Sequence, residues 1–151
     1  MSLVLDSSAT LAWIYSEETT EGIRRLFDAV ADEGAFVPTL WRLEVANSLT
    51  IAVRRGRIDA DFRRASLADL ALLDITTDQY TDFHAWNETL NLADRFRLTL
   101  YDAAYLELAK RHSLPLATLD DELRTAATAL GLGCSGRIER RRIPLTQGER
   151  K

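Results

Sequence analysis

Leu3-Val4-Leu5-Asp6-Ser7-Ser8 reads as a strand that runs straight into a helix. The three apolar residues form a run too short for a helix, and Asp6, Ser7 and Ser8 are residue types that begin helices. Ala9 to Tyr15 follows with apolar side chains at helical spacing. A strand with no polar face, followed at once by a helix, belongs in a parallel sheet covered on both sides.

The rest of the chain repeats this grammar. Ile23, Leu26, Phe27 and Val30 give an amphipathic helix within 18–31, Gly34 ends it, and Ala35-Phe36-Val37-Pro38 is a short strand. Trp41, Val45, Leu49, Ala52 and Val53 mark one face of a helix that stops near Arg54-Arg55-Gly56, and 58–72 supplies another that starts near Asp59. Asp74-Ile75-Thr76-Thr77 is the next strand. Tyr80, Phe83, Leu90 and Leu92 recur at helical intervals across 78–96, with Asn87 and Asn91 arguing against one unbroken helix and for a kink or break. A helix over 101–112, a buried strand over 116–119, a helix over 120–130 ended by Gly131 and a last strand near Cys134 complete the pattern. Strands alternating with helices predict a mainly parallel sheet joined by right-handed crossovers.

A chain of 151 residues suits one compact domain, here 1–135, followed by a basic tail over 136–151. The tail carries Arg137, Arg140, Arg141 and Arg142 and is expected to be exposed, with a mobile tip. A net charge of −4 argues against a generally basic nucleic-acid coat, although local basic patches can still attract phosphate. Cys134 stands alone, so it forms no internal disulfide, and the start lacks the basic and apolar regions of a signal peptide. No stretch approaches the roughly 18 apolar residues of a membrane span. A soluble, cytoplasmic protein is expected.

Four acidic residues stand out: Asp6, Glu44, Asp102 and Asp120. Asp6 and Asp120 directly follow strands, at the edge where open parallel sheets bind ligands. Each of the four also has a local structural reading. Asp6 suits an N-cap, though Ser7 or Ser8 could do that job. Thr118-x-x-Asp121 fits a capping box, which leaves Asp120 for chemistry, and Thr99-x-x-Asp102 fits another. Glu44 alone suits a solvated helix position beside Asn47 and Ser48. Gathered together, such carboxylates cannot all stay ionised unless a cation sits between them. Magnesium or manganese, hard ions that accept oxygen ligands, would answer that need.

The order and spacing of four short motifs carry a resemblance. They are Leu3-Val4-Leu5-Asp6-Ser7-Ser8, Pro38-x-x-Trp41-x-x-Glu44-x-x-Asn47, Tyr101-Asp102-Ala103-x-Tyr105-Leu106-x-Leu108-Ala109 and Ala117-Thr118-Leu119-Asp120. From Leu3 to about Cys134 the chain resembles PIN-domain ribonucleases, in particular the toxin of the VapBC toxin–antitoxin type. That resemblance implies a three-layer α/β/α sandwich and a site in which Asp6, Glu44, Asp102 and Asp120 hold one or two Mg2+ or Mn2+ ions. Ser8, Asn47 and Thr118 would be the polar neighbours that orient those ligands. The resemblance also implies an RNA substrate, a small VapB-like antitoxin and a homodimer. No acidic position of the pattern is missing, which favours an active nuclease.

Phosphodiester hydrolysis by such a site needs no histidine or cysteine nucleophile, because a bound ion acidifies water and clamps phosphate oxygens. Glu44 would complete the ion's shell or orient the attacking water. Arg54, Arg55 and Arg57, with Arg63 and Arg64 nearby, are candidates for an RNA phosphate track; the alternative is a solvated helix end. His84 falls within a helix and His112 at a helix C-terminus. Trp13, Trp41 and Trp86 are read as core or interface anchors. Two other functions compete. A phosphohydrolase on a doubly wound sheet would need an Asp-x-Asp or Gly-rich phosphate motif, and Asp6-Ser7-Ser8 departs from the first. A non-catalytic RNA- or protein-binding module would keep the fold and use its carboxylates only as caps.

Overall fold

The computed structural model describes residues 3–133. The expected last strand near Cys134 and the basic tail lie outside them.

Strands β1 (Val4–Leu5), β2 (Ala35–Val37), β3 (Ile75–Thr77) and β4 (Leu116–Ala117) form one parallel sheet in the order β3-β2-β1-β4. Val4 lies opposite Phe36 on one side and Leu116 on the other, so β1 is central. Burial on both faces is why Leu3, Val4 and Leu5 are all apolar and fully covered. The chain leaves β1 toward β2 and returns later to β4 on β1's other side. The order of strands therefore reverses between β1 and β4, and such a switch point opens a crevice beyond the strand ends.

Helix α1 (Ser7–Ile14) packs on both α2 (Glu21–Glu33) and α3 (Trp41–Arg54), and α3 packs on α4 (Ala60–Ala71). Helices α5 (Thr81–Ala85), α6 (Glu88–Phe96) and α8 (Asp121–Ala129) gather around α7 (Leu100–His112). Together they flank the sheet as an α/β/α sandwich, the predicted architecture. The apolar stripes predicted for α2 and α3 are buried: Ile23, Leu26, Phe27 and Val30 in the first, Trp41, Val45, Leu49 and Ala52 in the second. Val53 is only partly covered.

Two interruptions have clear local causes. Gly34 closes α2 at φ +77°, and an added Cβ would come within 2.9 Å of the Asp74 carbonyl, so the entry to β2 requires glycine. The break expected near Asn87 occurs there, where φ −116° and ψ −102° separate α5 from α6.

Every residue from Ala103 to Ala109 in α7 is buried, Glu107 included. Glu107 is tolerated because Arg111, one turn on, donates Nε to Oε1 at 2.8 Å and Nη2 to Oε2 at 3.0 Å. The same guanidinium grips Asp78 through Nη1 at 3.0 Å and Nη2 at 2.7 Å. Burial opposes the Asp78 charge, but these contacts pull its carboxyl below the ordinary range. Trp13 stacks on Phe27 at 4.6 Å and Trp41 is buried, as core anchors should be. Trp86 is not core: it is 87% exposed on the turn between α5 and α6.

Candidate active site

Asp6 ends β1 and caps α1, accepting the Ala9 N–H on Oδ1 at 3.0 Å. Ser8 Oγ donates to the same oxygen at 2.7 Å, and the Thr118 hydroxyl donates to Oδ2. Ser8 Oγ also accepts the Leu119 N–H at 3.0 Å. These contacts sew the end of β1 to the end of β4, across the switch point. Asp6 itself serves as the cap, a job that Ser7 or Ser8 could have done on sequence grounds.

The start of α8 departs from the predicted capping box. Asp120 is the N-cap, accepting the Leu123 N–H on Oδ1 at 3.0 Å, while Asp121 is the first helical residue. Thr118 cannot cap because its hydroxyl is turned to Asp6 and accepts the Asp120 N–H at 3.0 Å. The predicted box at α7 is half made: Thr99 Oγ1 accepts the Asp102 N–H at 3.1 Å. Glu44 lies in the first turn of α3, where its Oε1 accepts the Tyr105 hydroxyl at 2.5 Å. Asn47 is exposed on the next turn and hydrogen-bonds none of the carboxylates among the described residues.

Electrostatics ties the four acids into one group. Burial lifts the Asp6 carboxyl from an ordinary 3.8 to about 6. Hydrogen bonds from Ala9, Thr118 and Ser8 only partly offset this, and the Asp102 charge adds to it. Asp102 is raised too, by burial first and then by the charges of Asp120 and Glu44. Asp102 is thus the acid to which each of the other three is electrostatically linked.

None of the four belongs to an ion pair among the described residues, whereas the buried acids Asp78 and Glu107 share Arg111. Nor do any three His, Cys, Asp or Glu side chains there stand close enough to ligate one ion directly. The donor set still fits a hard divalent cation. It is all oxygen, it is uncompensated, and magnesium commonly keeps several waters and takes only one or two carboxylates directly.

The arginines stand apart. Arg54 and Arg55 are exposed at the far end of α3, about 15 Å along the helix from Glu44. Arg57 Nη2 is engaged by Glu17 at 2.9 Å and Glu18 at 3.1 Å, with its guanidinium 4.1 Å from the Tyr15 ring centre. Arg63 reaches Thr50 Oγ1 at 3.3 Å and Arg64 reaches Asp61 at 3.0 Å. Arg124, by contrast, lies beside the site, its Nη2 donating to the Thr118 carbonyl at 3.0 Å. Sequence reading passed over Arg124 and gave Tyr105 no role. Their signals were only helical spacing, four residues after Asp120 and three after Asp102.

A parallel sheet with Asp6 and Asp120 beyond the ends of adjacent strands at the switch point defines a class, and the chain matches the PIN domain family over residues 3–129. The chain belongs to the PIN-domain family. It is 31% identical over 130 residues to Ribonuclease VapC3 of Pyrobaculum aerophilum, covering 86% of this chain and 98% of that protein. The crystal structure of PAE2754, also from Pyrobaculum aerophilum, superposes with a TM-score of 0.60 at 22% identity, over 87% of this chain and 93% of the other. That likeness shows the shared fold. No helix of the described residues is long and apolar enough to cross a membrane.

Proposed function

We propose that this chain is a divalent-metal-dependent endoribonuclease, the toxin of a toxin–antitoxin pair. The observation that carries the reading is the contrast among its acids. Asp78 and Glu107 are both ion-paired to Arg111, whereas Asp6, Glu44 and Asp120, each electrostatically coupled to Asp102, have no ion-pair partner among the described residues. Uncompensated carboxylates at a ligand-binding edge are destabilising unless something positive completes them. The relative named Ribonuclease VapC3 supplies the substrate class.

Asp6, Asp102 and Asp120 would hold one or two Mg2+ or Mn2+ ions, and Glu44 would complete the shell or orient the attacking water. When bound, such an ion acidifies water and neutralises charge building on the scissile phosphate. Ser8, Thr118 and the Ala9 N–H keep the Asp6 carboxylate in one orientation. Thr99 fixes the first turn of α7 below Asp102. These residues act on the sugar-phosphate backbone, so the site itself reads no base sequence.

By the same reading the protein acts in the cytoplasm, as a homodimer, and is restrained by a VapB-like antitoxin. An antitoxin Arg or Lys placed among the four carboxylates would supply the missing charge through charge-assisted hydrogen bonds. An unaltered cleavage rate under saturating antitoxin would rule that mode out.

One observation favours the non-catalytic module: Asp6 and Asp120 both act as helix caps. Cleavage of end-labelled total RNA separates the two readings, using parent and Asp6→Asn protein with EDTA, Mg2+ or Mn2+. Discrete cuts that need both metal and Asp6 support the nuclease. Identical patterns from the two proteins, with no rise in melting temperature on adding metal, support the module.

A further inference from the structure

Tyr105 is 1% exposed in the middle of α7, yet it carries a hydroxyl into the core. Such a group is costly to bury without a partner. Its partner is Glu44 Oε1, at 2.5 Å and 61 residues away in sequence. Tyr105 lies one helical turn beyond Asp102, so the two side chains leave the same face of α7. Glu44 approaches from α3, and its charge acts on Asp102. The phenol therefore makes a direct hydrogen bond between α7 and Glu44 of α3, and the Ser7 side chain hydrogen-bonds the same hydroxyl.

We propose that Tyr105 is the positioning residue that aims Glu44 into the acidic site, fixing one carboxylate oxygen so that the other is presented to the ion and its waters. Resting on the metal-dependent nuclease reading, this assigns to Tyr105 a role that neither its burial nor its motif discloses. A free glutamate loses rotamer freedom when it ligates; one already held by a hydrogen bond loses less, and outer partners of this kind commonly tune metal affinity. An ordinary tyrosine hydroxyl loses its proton only at about pH 10, so Tyr105 is the donor to the Glu44 carboxylate at neutral pH.

The test is calorimetric titration of Mn2+ into the full chain as parent, Tyr105→Phe, Glu44→Gln and the double variant, with single-site RNA cleavage in parallel. Tyr105→Phe keeps the ring and removes one oxygen; Tyr105→Leu accompanies it in case the first fails to fold. Mn2+ affinity should fall about tenfold or more in Tyr105→Phe. The turnover number should fall with it, at unchanged KM for RNA, and the double variant should be no worse than Glu44→Gln. A merely structural phenol would lower the melting temperature and leave the affinity of the folded protein alone. Parent-like Mn2+ affinity in Tyr105→Phe, or a full additional loss in the double variant, overturns the role of Tyr105 while leaving the nuclease intact. A parent that neither binds Mn2+ nor cleaves RNA overturns both.

Discussion

The Thr118 hydroxyl donates to Asp6 Oδ2 across the seam between β4 and β1, joining residues 112 apart in sequence. Thr118 is itself buried, so two polar groups that would each be costly alone satisfy one another.

Replacing Thr118 by Val keeps the shape and removes the hydroxyl. The variant should lose about 1–3 kcal/mol in urea unfolding, because Asp6 stays buried without that donor. Thr118→Ser should recover most of the loss. An unchanged unfolding midpoint in Thr118→Val would show that the seam is held by the backbone alone.

The metal-free protein should become less stable as pH rises from about 4 to about 6. In that window folded Asp6, with its carboxyl lifted to about 6, still holds a proton that the unfolded chain has released. Above it the slope from this group disappears. Asp6→Asn keeps an N-capping oxygen and removes the charge, so in EDTA at pH 7.5 it should gain up to about 3 kcal/mol and lose RNA cleavage. Denaturant titrations at several pH values check both parts; a less stable Asn variant would mean that the hydrogen bonds to Asp6 outweigh its desolvation.

Arg111 serves two buried carboxylates. Arg111→Ala should cost about 3–5 kcal/mol, because it leaves Asp78 with the Thr81 hydroxyl and Glu107 with His84, 3.8 Å away, in place of a guanidinium. Adding Asp78→Asn and Glu107→Gln should return part of that. Metal-dependent cleavage per folded molecule should be parent-like, since this network lies outside the proposed site.

Arg54 and Arg55 are exposed and make no ion pair among the described residues, whereas Arg57 is held by Glu17 and Glu18. If the first two contact RNA phosphates, Arg54→Gln with Arg55→Gln should flatten the salt dependence of binding by about 0.7 in log–log slope per lost contact. Arg57→Gln should change it less and loosen the loop at Ser16–Glu18. Equal slopes for parent and double variant would remove these arginines from the RNA path.

Much of this organisation was legible in the chain. Apolar runs as short as Val4–Leu5 betrayed a strand buried on both faces, and the stripes of α2 and α3 named their own core residues. The break at Asn87 was visible because asparagine is a poor helix former. Local competition for hydrogen bonds was harder to read. Thr118-x-x-Asp121 satisfied a capping pattern, but the Thr118 hydroxyl found Asp6 instead, and Asp120 took the cap. Trp86, read as a core or interface anchor, is not in the core, because hydrophobicity alone does not say which side of a turn faces solvent.

The sequence by itself determined the alternation of strands and helices and the presence of four acidic residues in four separate motifs, since periodicity and capping chemistry act over a few neighbours. Only the tertiary structure decided that β4 lies beside β1, that Ser8 and Thr118 share the Asp6 carboxylate, that Tyr105 holds Glu44, and that Arg111 pairs with two other buried acids. Those contacts join residues tens of positions apart. Which charge is left unpaired depends on burial and distance in space, and neither is a property of any local stretch of chain.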